Sequence, residues 1–190
     1  MKKLLFTCIM LTGLLVSSQN QETHQLNTEQ SVINWKGSYS FFFSEHNGTV
    51  HFKEGELIAK DGNITGGSFV IDMASISNED YLKQQGAVKH LRSDDFFDVE
   101  KFPEARLVFT SVEYFTNENT HRIFADLTIK GITKNIRFYA TADGDAKTFE
   151  TKFKIDRTLW GITYNNKLKN EGISEAIEFN VNLQFQTAIK

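Results

Sequence analysis

The amino-acid sequence predicts an all-β protein built from about eight or nine antiparallel strands. Apolar and polar residues alternate along most of the chain, as they do in strands with one buried and one solvated face. The 190 residues include 17 Phe but 1 Pro, and 40% are hydrophobic, so long strands and a sizeable core are expected. Because every strand has a polar face, a sheet closed into a barrel is favoured over two packed sheets, although both suit the strand spacing.

The clearest element is a hairpin between residues 121 and 140. Residues 131–134 begin with Gly and reverse the chain between its two arms. Such a hairpin cannot bury its apolar face alone, so further strands must pack around it. Its inward residues, two apart in each arm, are Ile123, Ala125, Leu127, Ile129, Ile136, Phe138 and Ala140.

The same alternation predicts the other strands. They are expected at 31–36, 49–53, 66–73, 105–115, 147–155 and 176–186, and the apolar runs at 38–43 and 57–59 are further candidates. The three Phe residues at 41–43 are too dense for simple alternation, and they indicate either a strand buried on both faces or the rim of a cavity.

The pattern changes between residues 75 and 98, where one or two short helices are expected. Ser77 or Asn78 can cap a helix that starts at Glu79, and acidic residues suit that end of the helix dipole. Its apolar residues form an incomplete stripe, so we expect the helix to lie over an opening in the sheet. The stripe consists of Tyr81, Leu82, Val88 and Leu91.

The first 18 residues are typical of an export signal peptide. Two lysines precede an apolar run over 4–16, and small residues follow up to Ser18. Residues 19–30 are polar and are expected to form a flexible lead-in, which leaves 31–190 as the barrel domain. Cleavage after Ser18 would remove Cys8, the single cysteine, and with it any thiol chemistry. The expected location is the periplasm or the extracellular medium.

Several function classes have little support. The histidines are scattered, and the chain contains neither an HExxH motif nor a cysteine pair, so no metal site is expected. The Gly-rich segment at 66–70 is not a GxSxG elbow, and no catalytic residue can be assigned. A net charge of −3 without a Lys/Arg cluster makes nucleic acid an unsuitable partner. We therefore predict a protein that is not an enzyme.

The segment 155–164 combines charge and aromatic residues most densely. In one interpretation Arg157, Trp160 and Tyr164 lie at a cavity mouth, where the guanidinium meets the polar or anionic head of a ligand. In the other, Arg157 pairs with Asp156 or another carboxylate and Trp160 plugs one end of the barrel. The residues alone leave both interpretations open.

The inward face collects most of the aromatic residues. An eight-stranded barrel is at the size where side chains just fill the interior or leave room for one small apolar ligand, and the residues favour neither outcome. The inward set includes Trp35, Phe52, Phe69, Ile71, Phe109, Ile123, Leu127, Ile129, Phe138, Phe153, Ile155, Phe179, Leu183 and Phe185.

The ordered motifs of the chain resemble those of the YceI-like family of exported lipid- or polyisoprenoid-binding proteins. They cover nearly all of the chain after the signal peptide, and the ordered set is more specific than any single motif. The matching stretches are 31–35, 46–50, 67–73, 90–99, 101–105, 127–134 and 155–161.

This resemblance implies an eight-stranded antiparallel lipocalin-like β-barrel with a helix between strands. Its lumen would take the long isoprenoid tail of a quinone or lipid carrier, for storage or transport. The inward residues would then line the tunnel, with Arg157, Trp160 and Tyr164 at its mouth. The Phe residues at 41–43 replace a Gly-containing stretch expected there, and they would narrow the tunnel or change the ligand.

The resemblance also sets expectations about partners. The ligand would be an apolar, lipid-like molecule such as an isoprenoid quinone, with no separate cofactor, and the protein would contact a membrane transiently as a monomer or homodimer. The alternative is a stress-response or interaction protein with a packed interior that recognises partners through loops such as 38–47.

Overall fold

The computed structural model describes residues 20–39, 45–78, 85–164 and 172–186. Most of these residues are in strands, and short 3-10 turns follow two of them, at Met73–Ser75 and Arg157–Trp160. The strands are β1 (Gln21–Gln25), β2 (Val32–Tyr39), β3 (Glu45–Lys60), β4 (Asn63–Asp72), β5 (Glu104–Phe115), β6 (Thr120–Ile129), β7 (Ile132–Asp143), β8 (Thr148–Asp156) and β9 (Ile173–Gln184), and the helix is α1 (Gln85–Arg92).

Strands β2 to β9 form a closed antiparallel barrel. Their order around the ring is β3-β2-β9-β8-β7-β6-β5-β4, and β4 pairs back with β3 to complete it. Closure satisfies the backbone groups that the edges of an open sheet would leave unpaired. The predicted eight-stranded antiparallel barrel is therefore confirmed, and the two-sheet alternative is excluded.

Strand β1 corrects the expectation of a flexible lead-in at 19–30. Residues 21–25 pair antiparallel with 56–60 of β3, and Leu26 forms a bridge to Phe185 just beyond β9. β1 therefore lies between β3 and the end of β9, beside the part of β3 that β2 does not pair with. Its polar side chains obscured it in the sequence because a strand needs only backbone pairing to form at such a position.

The central hairpin forms as predicted, with a tighter turn. Ile129 pairs with Ile132, so Lys130 and Gly131 alone reverse the chain instead of residues 131–134. Both have positive φ angles, 49° and 73°, as in the two-residue turns whose twist matches that of the flanking strands. In β6 every second residue is buried, in agreement with the alternation.

Aromatic rings fill one end of the barrel. The ring centroid of Phe69 lies 5.6 Å from that of Phe109 and 6.5 Å from that of Phe185. Two glycines make room for Phe69: a Cβ atom on Gly55 would lie 2.5 Å from its Cδ1 atom, and one on Gly67 would lie 3.1 Å from its Cε2 atom. We call this end the floor of the barrel.

Helix α1 and the turn at 93–99 lie at the opposite end and are called the lid. Arg92 donates to the carbonyl of Ile76 at 3.0 Å, and Lys130 donates to those of Asp94 and Phe96 at 3.1 and 2.7 Å. The predicted helix start at Glu79, Tyr81 and Leu82 lies outside the described residues, as do the signal peptide (1–18) and Phe41–Phe43. In the part of the chain that is described, no helix has the length and apolar character needed to cross a membrane.

Candidate ligand-binding site

The barrel encloses a cavity of 520 Å³. Mostly apolar side chains line it, and they come from β2 to β9 and from the lid. The volume lies within the range of about 300–1,000 Å³ that is typical of small-molecule sites. The interior is therefore hollow, which decides a question that the inward Phe residues left open.

The fold brings most of the predicted site residues together around this cavity. They come from positions far apart in the sequence and meet because alternation turns them all inward. Their role in ligand binding stays a prediction. The predicted residues that line the cavity are Trp35, Phe52, Phe69, Ile71, Phe109, Leu127, Ile129, Phe138, Phe153, Arg157, Phe179 and Leu183.

Four predicted residues, Ile123, Ile155, Trp160 and Tyr164, are not among those that line the cavity. Ile123 and Ile155 point inward but are 0% and 5% exposed, because neighbouring side chains cover them. Trp160 is 1% exposed and donates from Nε1 to the carbonyl of Leu127 at 3.1 Å. Alternation identifies the inward face of a strand, but it does not reveal where along the barrel axis neighbouring side chains fill the interior.

Arg157 lines the cavity, but its N–H groups donate hydrogen bonds to backbone carbonyls. It is 2% exposed, and its guanidinium donates to the carbonyls of Ser174, Ile162, Tyr164 and Ile173. Burial lowers the pKa of Arg157 from its ordinary value. The side chain therefore holds the segments on either side of 165–171 together at the lid end.

The predicted pairing of Arg157 with Asp156 is not observed. The Asp156 carboxylate instead accepts from the backbone N and the Oγ1 atom of Thr158, at 2.9 and 2.6 Å, and these bonds keep the pKa of Asp156 below its ordinary value. The guanidinium carbon of Arg157 lies 5.6 Å from the ring centroid of Phe96 in the lid. Within the described residues Arg157 thus forms no ion pair with Asp156 or with another carboxylate, and its contact with a ligand head group stays a prediction.

The lid contributes residues that sequence reasoning did not assign to the site. His90, Leu91, Phe96 and Phe97 all line the cavity. The signal was present, since the apolar stripe predicted a helix over an opening, but the stripe alone does not show which side chains reach into the lumen. Further lining residues that were missed include Ile33, Ser38, His46, Val50, Met73, Ile76, Ala105, Phe149, Ile177 and Val181.

A close backbone contact positions the segment that leads into the lid. The carbonyl of Ser77 accepts from Trp35 Nε1 at 3.1 Å, and the backbone N of Ser77 donates to the carbonyl of Thr49 at 2.9 Å. A Cβ atom on Gly48 would lie 1.9 Å from the Ser77 oxygen, so only glycine allows this approach. The motif at 46–50 therefore joins the cavity wall to the base of the lid.

Acidic groups are absent from the described lining of the cavity, which contains no Asp or Glu. Within the described residues, no group of three or more His, Cys, Asp and Glu side chains converges as a metal site requires. The described wall thus offers apolar surface and a few neutral or cationic groups.

Comparison with known proteins agrees with this architecture. A UPF0312 protein of Pseudomonas putida strain W619 is 31% identical over 119 residues, which cover 63% of this chain and 60% of the relative. The chain thus matches less than two thirds of the length of that relative.

Two solved structures share the fold. Burkholderia cenocepacia BcnA superimposes with a TM-score of 0.71 at 16% identity, covering 85% of this chain and 99% of BcnA. A Campylobacter jejuni YceI protein gives a TM-score of 0.50 at 17% identity, covering 100% and 99% of the two chains. The model of the YceI-like domain matches residues 24–185, and the chain therefore belongs to the YceI-like family.

Proposed function

We propose that this protein is an exported binding protein that holds one long apolar ligand in its barrel lumen, for storage or transport. The ligand class is a polyisoprenoid, an isoprenoid quinone or a related lipid. The observation that carries the proposal is the 520 Å³ cavity with its mainly apolar lining. A fully packed interior, as the alternative interaction protein requires, does not agree with a cavity of this size.

Burial of the ligand tail supplies the affinity in this proposal. Each CH₂ group removed from water contributes about 0.8 kcal/mol, from which the costs of immobilising the ligand are subtracted. Aromatic pairs in the wall, such as Phe138 and Phe153 with ring centroids 5.0 Å apart, offer rigid surface for a branched chain. We therefore expect affinity to depend on tail length more than on the charge of the head group.

Delivery of such a ligand requires contact with a membrane or a carrier. Leu159, which is 54% exposed, and Ile132, which is 37% exposed, belong to segments at the lid end. A Cβ atom on Gly161, the residue that follows the Leu159 turn, would lie 3.6 Å from Ile132 Cδ1, so the two segments are neighbours. This apolar rim supports a transient membrane contact at the end where the lid lies.

The proposal is tested by mass spectrometry of the protein purified from an expressing bacterium under non-denaturing conditions, followed by organic extraction. We expect a bound isoprenoid or acyl lipid that the extract identifies. Clean extracts from repeated preparations of folded protein, together with no uptake of added isoprenoid lipids, would refute the proposal.

A pair of neighbouring substitutions serves as the control. Leu127→Glu places a carboxylate in the lumen, whereas Thr128→Glu places it on the outer face of the same strand. Burying an unpaired charge is costly, so we expect the first variant to lose the lipid and the second to keep it. Leu127→Phe narrows the lumen without adding a charge. Loss of lipid by this variant while it remains folded would show that binding, and not folding, is affected.

A further inference from the structure

The barrel wall is hydrogen-bonded over only a short length between β7 and β8. Residues 140–143 of β7 pair with 148–151 of β8, whereas residues 132–140 all pair with β6. The carbonyl of Tyr139, the next residue toward the lid, accepts from the side-chain hydroxyl of Thr151 at 2.7 Å. In the part of the chain that is described, β7 therefore has an unpaired edge over 132–138, on the side away from β6.

The hairpin turn fixes which backbone groups lie at this edge. Ile129 and Ile132 flank a two-residue turn, and the pair that flanks such a turn exchanges both of its hydrogen bonds. Antiparallel pairing alternates, so the even-numbered residues of β7 bond to β6 and the odd-numbered residues point away from it. The N–H and C=O groups of Thr133, Asn135 and Arg137 are therefore at the unpaired edge.

The edge is accessible. Thr133, Asn135 and Arg137 are all exposed. The segment after β8 comes near the hairpin turn, but its backbone N–H groups at Gly161 and Ile162 donate to carbonyls of its own turn. Among the described residues nothing pairs with this edge, and a row of open backbone groups is what an extended segment of another protein needs to join a sheet.

Positive charge flanks the edge on both sides. If the register of β7 and β8 continued toward the lid, Arg137 would lie directly opposite Lys154, and like charges in such positions destabilise pairing. Arg137 has no hydrogen bond or ion pair to the described residues. Lys152 and Lys154 share the carboxylate of Glu178, at 3.0 and 3.3 Å, so positive charge remains in excess. The repulsion accounts for the end of the ladder, and an acidic strand beside β7 would relieve it.

We infer that the β7 edge at 133–137 binds an extended, acidic segment of a partner protein, which adds to the sheet as a further strand. The acidic side chains of that segment lie on the outer face, near Arg137 and Lys154, and its apolar side chains lie on the face of Ile136. Backbone hydrogen bonds supply the affinity, and the side chains supply the preference for acidic sequences. This inference does not depend on the proposed lipid ligand.

Hydrogen exchange followed by NMR tests the edge in the isolated protein. The amides of Thr133, Asn135 and Arg137 should exchange rapidly. Those of Lys134 and Ile136 should exchange slowly, because they donate to β6. Protection of the odd-numbered amides at low protein concentration would overturn the inference, because the edge would already be occupied. Protection that appears only as the protein concentration rises would assign the edge to a second copy and would also overturn it.

The probe for binding is a short synthetic peptide in which Glu and Val alternate. We expect it to protect the three odd-numbered amides on titration. The same peptide with methylated backbone nitrogens should bind at least about tenfold more weakly, as the loss of two or more hydrogen bonds predicts. A peptide in which Lys replaces Glu should also bind at least about tenfold more weakly. No binding of the first peptide, or equal binding of either comparison peptide, would overturn the inference.

Variants of the protein test the same contacts from the other side. Arg137→Glu should weaken binding of the acidic peptide about tenfold. Asn135→Pro removes one edge donor, and Pro is tolerated where the N–H faces away from the sheet. Asn135→Ala is the matched control, since it also loses the side-chain bond to Asp126 but keeps the N–H.

We expect Asn135→Pro to bind the acidic peptide about three- to tenfold more weakly than Asn135→Ala. Equal affinities of these two variants, with equal melting temperatures, would overturn the inference. If Asn135→Pro does not fold, the methylated peptide decides the same question on the wild type.

Discussion

Replacing Arg157 tests how the lid end of the barrel is held together. Arg157→Met keeps a long side chain but removes the charge and every N–H donor. The native guanidinium donates to four backbone carbonyls, and hydrogen bonds from a charged group contribute about 1.5 kcal/mol or more each. Because contributions within one network do not add fully and three of the four bonds are only part-buried, we expect the free energy of unfolding to fall by about 3 kcal/mol.

Urea unfolding followed by fluorescence measures this loss, with the slope of the transition fitted as well as its midpoint. Arg157→Lys should recover little of the stability, because an ammonium cannot reproduce the planar fork of donors. Arg137→Met is the control, since Arg137 is exposed on β7 and surface changes usually stay within about 0.5 kcal/mol. A loss below about 1 kcal/mol in Arg157→Met, with an unchanged slope, would refute the clamp role derived from these hydrogen bonds.

Two further predictions concern backbone packing and pH. Gly48→Ala should destabilise the protein by about 1–3 kcal/mol, because the added Cβ atom meets the Ser77 carbonyl oxygen. Gly37→Ala should be nearly neutral, since nothing lies within 4 Å of its Cβ position. Equal unfolding midpoints for the two variants would contradict this prediction. Burial holds the pKa of His121 below its ordinary value of 6.5, so the unfolded chain binds a proton more readily and stability should fall as the pH drops below about 6.5. Urea titrations at several pH values should show a shallower loss in His121→Phe, and identical pH profiles would exclude the role of His121.

The alternation of β6 illustrates what the local pattern can predict. Every second residue from His121 to Ile129 is buried, because the side-chain period of a strand does not depend on its partners. The same rule predicted β5, β8 and β9 closely. It predicted only 135–140 of β7, and it divided β3 into 49–53 and 57–59, whereas one strand runs through both pieces. It missed β1, whose polar residues 21–25 pair with β3 through the backbone, an interaction without a side-chain signature.

The sequence predicted which residues point into the barrel, but not which of them border the cavity. Trp35, Phe153 and Leu183 face the cavity as expected, whereas Ile123 and Trp160 are covered by neighbours. Whether an inward residue borders the cavity depends on how the side chains of other strands pack around it. The sequence of one strand does not contain that information.

By itself, the sequence determined the strands, their inward faces and the family, because period-two alternation and ordered motifs are local properties of the chain. Only the tertiary structure decided that the barrel is hollow, that Arg157 binds backbone carbonyls instead of Asp156, and that side chains of the lid line the cavity. Each of these depends on the distance between segments far apart in the chain, which is set by closure of the sheet and by how its side chains fill the interior.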